Sequence, residues 1–287
     1  MSKAISKVQL KAIVDAITKL YPASYADGSW DNTGLLIDCS AATTSVIKPK
    51  VLLTVDLTTS VAQEAIDKNC NFILAYHPFI FPSWKKLSPW TNPQHESAIK
   101  LIQHGISVYC PHTAVDAAKN GVNDWLVTSL CGGDSSLIQS SVSIEKVDPQ
   151  QGEEEHEVGY GRVVRFSRPY SLDAIIQSAK KSLGIDHLQV ATKHTDLSQH
   201  MIQSVALCAG SGSGVFRNLR ESVDLYFTGE LSHHEVLKYR EMGKAVITCN
   251  HSNTERGYLR AIMQDALKGE NIECEVSASD CDPLRVV

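Results

Sequence analysis

No stretch of about 18 consecutive apolar residues occurs in the chain, so no transmembrane helix is expected. Basic residues are not in excess. Lys and Arg number 27 against 32 Asp and Glu, giving a net charge of −5, and the pI is about 6.1. This argues against a broad electrostatic grip on nucleic acid, which rewards clustered Lys and Arg. None of the 8 cysteines forms a C-x-x-C pair, and several sit inside apolar strand-like runs: Cys110 in ISVYC, Cys208 in SVALC and Cys249 in AVITC. Free cysteine in such places behaves as a small buried hydrophobe. With no signal peptide in evidence, this points to a reducing compartment, so the cytoplasm is the expected location. There is no short-period repeat and no low-complexity segment. What is present is ordinary for a soluble globular protein: 43% hydrophobic and 21% charged residues.

At 287 residues the chain is long for a single core, and one or two domains are expected. The opening, MSKAISKVQLKAIVDAITKL, carries Lys with Asp15 as its one acid, so a mitochondrial presequence is one reading. The other is a structural first helix, because Ile5, Val8, Ala12, Ile13, Ala16, Ile17 and Leu20 form a helical stripe. Beyond it, apolar runs predict strands over 34–38, 51–56, 72–76 and 106–110, with helices over 59–69, 94–104 and 120–130. Such β-α-β-α order favours a largely parallel sheet covered by helices. The polar, acidic segment SIEKVDPQQGEEEHEVG (143–159) reads as a connector or long hairpin loop. Further strands are expected over 160–167, 204–208, 224–228, 245–249 and 272–276, and helices over 171–183, 232–242 and 254–268.

Three of these strands lead into imidazole and carboxylate. NFILAYHPFIF places His77 just past an apolar run, GISVYCPHTAVDAA does so for His112 and Asp116, and AVITCNHSNTERGYL for His251 and Glu255. Ligands bind at the carboxyl ends of strands in open α/β sheets. Each residue also has a plain structural reading. His77 could be a surface loop residue, Asp116 a helix N-cap, and Glu255 a first-turn acid complementing the helix dipole. As a set they suit Zn, Mn, Fe or Ni, and a bridging carboxylate can hold two such ions. A competing constellation is C-x-H, which occurs at Cys110–His112 and at Cys249–His251 and could make a closed Cys2His2 zinc site.

The segments WDNTGLLID (30–38), VLLTVDLTTSVAQEAI (51–66), ILAYHPFIF (73–81), HTAVDAAKNGVNDWL (112–126), CAGSGS (208–213), TGELSHHE (228–235) and NHSNTERGYL (250–259) together resemble the NIF-three family. These are the interacting factors named for the yeast coactivator NGG-one, whose bacterial relatives carry the label GTP cyclohydrolase I type 2. The resemblance implies a pair of divalent ions in a cleft, held by a His-His pair, an Asp and a His-x-x-x-Glu. Residue by residue, these fall on His77, Asp116, His251 and Glu255. The first His of the pair falls on Tyr76, and a neutral phenol is a poor ligand, so one metal position is expected to be weak unless His112 fills it. The resemblance also implies a ring-shaped homohexamer of intertwined two-domain subunits.

CAGSGSG (208–214) follows a strand, and the backbone N–H groups of Gly210, Ser211, Gly212 and Ser213 could cradle an anion. It is not a Walker loop, as no G-K-[ST] follows, and the alternative is a tight strand-to-helix turn. His233 and His234 in TGELSHHE, with Glu230, could support the metal ligands or act as acid and base, or they could simply begin a solvated helix. Trp30 and Trp125 are expected to pack. The segment HPFIFPSWKKLSPWTNP (77–93), with Trp84 and Trp90, suits a lid or a subunit contact.

The expected fold is therefore α/β: two intertwined mixed-sheet domains, residues 1–145 with 250–287 and residues 155–249, and a metal cleft between them. Two functions are open. One is a metal-dependent hydrolase acting on a nucleotide or small phosphorylated molecule, with His112 or Glu255 moving the proton. The other is a regulatory protein that binds a transcriptional coactivator and uses its metal structurally.

Overall fold

The structure is a computed structural model, and it describes residues 4–42 and 47–287. The first three residues of the N-terminal stretch lie outside the described residues. The strands are β1 (Gly34–Ile37), β2 (Val51–Thr54), β3 (Phe72–Ala75), β4 (Ser107–Cys110), β5 (Ile138–Lys146), β6 (Gly159–Ser171), β7 (Gln189–Ala191), β8 (Met201–Ser211), β9 (Leu225–Glu230), β10 (Ala245–Thr248) and β11 (Cys274–Val276). The helices are α1 (Lys7–Leu20), α2 (Thr59–Asp67), α3 (Pro93–His104), α4 (Thr113–Ala117), α5 (Val122–Leu130), α6 (Leu172–Leu183), α7 (Ser213–Phe216), α8 (His233–Glu241), α9 (Asn253–Tyr258) and α10 (Gln264–Gly269), with a π-helical stretch, Leu259–Met263, joining the last two. No described helix is long and apolar enough to cross a membrane.

The chain falls into two compact units. The first comprises Met1–Val115 and Leu259–Cys281, and the second Asp116–Tyr258 and Asp282–Val287. The sequence reading set the domain limits at 145, 155 and 250 instead. Residues 116–145 belong with the second unit because β5 pairs with β6 in its sheet. Residues 250–258 join it as well, since Gly257 packs against Trp125 so closely that a Cβ there would lie 2.6 Å from the indole.

In the first unit, α1 starts at Ser6. The Ser6 hydroxyl accepts the Gln9 N–H while the Gln9 side chain accepts the Ser6 N–H, a capping box that satisfies two otherwise orphaned donors. The helix buries Leu10, Ile13 and Ile17, whereas Val8 of the expected stripe is exposed. The sheet runs β1-β4-β3-β2-β11. All its pairings are parallel except β1 on β4. Every residue of β2, β3 and β4 is buried, which is why these strands read as unbroken apolar runs rather than alternating ones. Val61, Ala62 and Ala65 of α2 and Ala98 and Leu101 of α3 share one core cluster with Leu52, Ile73 and Val108. Asn92 caps α3 ahead of Pro93, and Gly105 closes it in the left-handed region.

The second unit holds a sheet of order β5-β6-β8-β9-β10-β7. β6 is antiparallel to both of its neighbours, β5 and β8, while β8, β9 and β10 are parallel and β7 is antiparallel at the edge. The acidic segment is the turn of the β5–β6 hairpin, although its first residues, through Lys146, are already strand. The helix expected over 120–130 is α5, with the short α4 ahead of it, and the one expected over 254–268 is interrupted by the π-helical stretch.

Candidate metal centre

In the first unit the parallel strands all end at the same edge, and polar side chains follow them there: Asp56 after β2, His77 after β3, His112 after β4 and Asp280 after β11. The Asp280 carboxylate accepts the backbone N–H groups of Val55 (2.8 Å) and Asp56 (3.4 Å), which fixes the chain where β2 ends. Asp56 Oδ1 in turn lies 2.9 Å from His77 Nδ1. A carboxylate holding Nδ1–H is the usual support for an imidazole that ligates through Nε2. His112 has the same kind of support, with Nδ1 2.7 Å from Asp31 Oδ1. The other Asp31 oxygen accepts from the Thr113 hydroxyl (2.5 Å) and N–H (3.4 Å). Burial pushes the Asp31 carboxyl up, but the hydrogen bonds and charge of His112, with those of Thr113 and Asn32, outweigh it and hold it below the usual carboxylate range. His112 sits at φ +32°, a sparsely populated conformation for a residue with a side chain, at the turn from β4 into α4.

Tyr76 is buried, and its ring stands edge-on to both imidazoles, with centroids 5.3 Å from His77 and 6.0 Å from His112. The two imidazoles are themselves 5.6 Å apart. The Cys110 thiol donates to the Tyr76 carbonyl at 3.1 Å, and burial raises its pKa well above the ordinary thiol value. Burial likewise pushes the Cys249 thiol up to about 12. As free thiols, both cysteines are neutral buried groups.

In the second unit, β10 leads through Asn250, in the left-handed region at φ +66°, to His251 and α9. His251 Nδ1 is 2.8 Å from Glu230 Oε1 at the end of β9, and His251 Nε2 is 3.3 Å from Glu255 Oε1. Glu255 is buried. Two ligand atoms each about 2.0–2.2 Å from one ion in tetrahedral or octahedral geometry stand roughly 3.0–3.4 Å apart, so the His251–Glu255 spacing fits a shared cation. Room for the pair comes from glycine. A Cβ on Gly210, at φ +60°, would meet Glu255 Oε1 at 2.7 Å and His251 Nε2 at 2.8 Å, and one on Gly229 would meet the His251 backbone at 2.8 Å. The Gly210 N–H donates to the Thr254 hydroxyl, and its carbonyl accepts the Thr228 hydroxyl.

That arrangement changes the reading of Gly210, Ser211, Gly212 and Ser213. The Gly210 N–H is already used, Ser211 ends β8 opposite Glu230, Gly212 packs on the Phe216 ring, and the Ser213 hydroxyl donates to Glu235. Gly210 serves close packing around His251 and Glu255, and the segment turns the chain from β8 into α7. Asp116 lies within α4 rather than capping it, and its carbonyl accepts from the Asn123 side chain, which also receives the Ala209 N–H. His233 and His234 are exposed at the start of α8, facing each other at 5.4 Å. Of the TGELSHHE group, Glu230 is the member that bears on a candidate ligand.

Asp31, Asp56, Asn123 and Asp280 went unnoticed in the sequence. Asp56 carried the same signal as the histidines, since it follows the run VLLTV directly. Trp125 packs as expected, whereas Trp30 is 54% exposed. Trp84 packs against the first-unit core, with centroids 5.6 Å from Phe79 and 4.5 Å from His95, while Trp90 is 96% exposed.

Two mixed α/β units, each with a carboxylate-held imidazole at the carboxyl end of a strand, define the class structurally. The chain belongs to the Duf34/NIF3 family (NGG1p interacting factor 3), which it matches over residues 8–283. It is 59% identical to NGG1-interacting factor 3 of Saccharomyces cerevisiae over 100% of both chains, and 44% identical to the NIF3 homolog of Schizosaccharomyces pombe over 99% of both. The fold is shared with a Bacillus cereus protein related to NIF3, at TM-score 0.79 and 19% identity over 96% of this chain and 98% of that one.

Proposed function

We propose that the chain is a divalent-metal protein that hydrolyses a nucleotide or another small phosphorylated molecule, with His77, Asp116, His251 and Glu255 as the metal ligands. One observation carries this reading most. His77 and His251 each have Nδ1 against a carboxylate, and His251 Nε2 shares a 3.3 Å approach with the buried Glu255. The family resemblance supplies Asp116 and joins the four into one set. Imidazole with carboxylate suits one or two ions of Zn, Mn, Fe or Ni. A bound divalent ion lowers the pKa of a coordinated water and polarises a phosphoryl or carbonyl oxygen.

The chain's own groups have separable roles. Asp56 and Glu230 fix the tautomer of His77 and His251, leaving each Nε2 as the donor atom. His112, with Nδ1–H directed at an ionised Asp31, presents Nε2 as the base that takes a proton from the attacking water. Glu255 is the alternative base. Tyr76 occupies the place where the family has a second imidazole, which leaves one metal position weaker than the other.

The name of the yeast relative, NGG1-interacting factor 3, favours a second reading, in which the protein binds a transcriptional coactivator and the metal is structural. One pair of measurements separates the two: metal content of protein purified without chelator, and turnover across a panel of nucleotides and phosphoesters. Bound metal and turnover that are both lost in Asp116→Ala support the hydrolase. Metal binding without turnover of any compound, with coactivator binding retained in Asp116→Ala, supports the second reading instead.

A further inference from the structure

Two large aromatic side chains of the first unit are exposed beside the imidazole pair. Trp30 is 54% and Phe81 53% exposed, their rings lie 6.1 Å apart at 71°, and Trp30 stands edge-on to His112 at 5.8 Å. Exposing such surface works against folding, and isolated exposed aromatics are usually free to move. These two are not. The Trp30 indole N–H donates to Asp27 Oδ2 at 2.8 Å. The Asp27 N–H donates to the Thr113 hydroxyl at 3.0 Å, and that hydroxyl donates to Asp31, the carboxylate that also holds His112. A second tie runs from the Asn32 side-chain amide to the carbonyl of Ile80, the residue before Phe81. One connected set of polar contacts thus holds Trp30 and His112 relative to one another, and the Asn32 bond ties the backbone just before Phe81 to the same segment.

We propose that Trp30 and Phe81 form an aromatic subsite for the flat heterocycle of the substrate, which stacks on the Trp30 indole and meets Phe81 edge-on, next to the His77–His112 pair. This rests on the reading of the chain as an enzyme for a nucleotide-class substrate, and it narrows that class to compounds with a purine- or pyrimidine-like ring. Every base has a π-face, so stacking is tolerant of base identity. Rings held in place before binding lose little freedom when the ligand arrives. The subsite therefore recognises that a base is present more than which base it is, and a phosphorylated sugar without a base lacks this contribution.

The test uses the full chain and three probes, adenosine, AMP and ribose 5-phosphate, titrated by calorimetry with and without added Mn2+. Indole N–H signals are followed by NMR in parallel. The chain has 4 Trp, and single Trp→Phe variants assign the signals. The expected result is that adenosine and AMP shift the Trp30 indole signal and leave that of Trp90 in place. Trp30→Ala should weaken adenosine and AMP roughly tenfold while ribose 5-phosphate is unaffected. Trp30→Phe should restore most of the loss, and Trp90→Ala should behave as wild type. Adenosine carries no phosphate, so its binding stands or falls independently of the metal. If the metal reading fails, base binding at Trp30 persists without any effect of Mn2+. If the stacking proposal fails, AMP and ribose 5-phosphate bind alike, or Trp30→Ala weakens both equally, or it changes the assembly mass with no effect on adenosine, or adenosine does not bind. Any of these outcomes overturns it.

Discussion

At the scale of single residues, the constraint that bears directly on the candidate ligands falls on Gly210. It approaches His251 and Glu255 so closely, and at a φ so unfavourable for a side chain, that even a methyl group must displace one of them. Gly210→Ala is expected to cost about 1–3 kcal/mol of stability. It should also weaken metal binding, which urea denaturation and a metal titration of the same variant will show. Tyr76 gives the opposite kind of prediction. Tyr76→His restores the imidazole pair of the family, and the metal-to-protein ratio should rise. An unchanged ratio, with two ions already tight in the starting protein, would mean that His112 or another group fills the place. His77, His112, His251 and Glu255 stood out in the sequence because strand-end position and residue chemistry coincided. Asp31 was not, because WDNTG carries no strand signal ahead of it, and its role appears only once the chain brings it to the His112 turn.

Among the elements, one carboxylate gathers several of the bonds that hold the chain where it returns to the first unit. Glu64 on α2 accepts the N–H groups of Ala278 (2.9 Å) and Ser279 (3.0 Å) and the Ser277 hydroxyl (2.6 Å) just beyond β11, and it pairs with Lys68 at 2.8 Å. Burial alone would raise its pKa, but these bonds outweigh it and bring the value down to about 2. A carboxyl lowered on folding stabilises fully above its unfolded value near 4.5, and that stability is lost as pH falls through about 2. The difference corresponds to about 3 kcal/mol. Glu64→Gln should lower stability at neutral pH by an amount of that order and remove most of the loss between pH 4.5 and 2. Acid denaturation of the two proteins followed by circular dichroism checks this. Strands β2, β3 and β4 could be read from sequence because they are buried on both faces. β5 could not, because it is only partly buried and its serines and charges resemble the acidic turn that follows, and β7 is only three residues long. The π-helical stretch left no mark on the apolar periodicity of 254–268.

For the whole molecule, the family resemblance leads us to propose a homo-oligomer, a hexamer built from dimers. Trp90, almost wholly exposed, and Leu87, 46% exposed, are the residues of the 77–93 segment that an assembly would cover. Trp84 is not one of them, since it already packs in the core. Light scattering should give a mass several times the 31.4 kDa of one chain, and Trp90→Asp should reduce it. A mass near that of one chain at every concentration would refute the assembly.

Metal content bears most directly on the central claim. The protein, purified without chelator and measured by inductively coupled plasma mass spectrometry, should carry at least roughly one divalent ion per chain. That ratio should fall toward zero in His251→Ala and in Asp116→Ala while both variants keep the wild-type circular dichroism spectrum. Wild-type protein that holds no divalent metal even after incubation with Zn2+ or Mn2+, or folded variants that hold as much as wild type, would contradict the account.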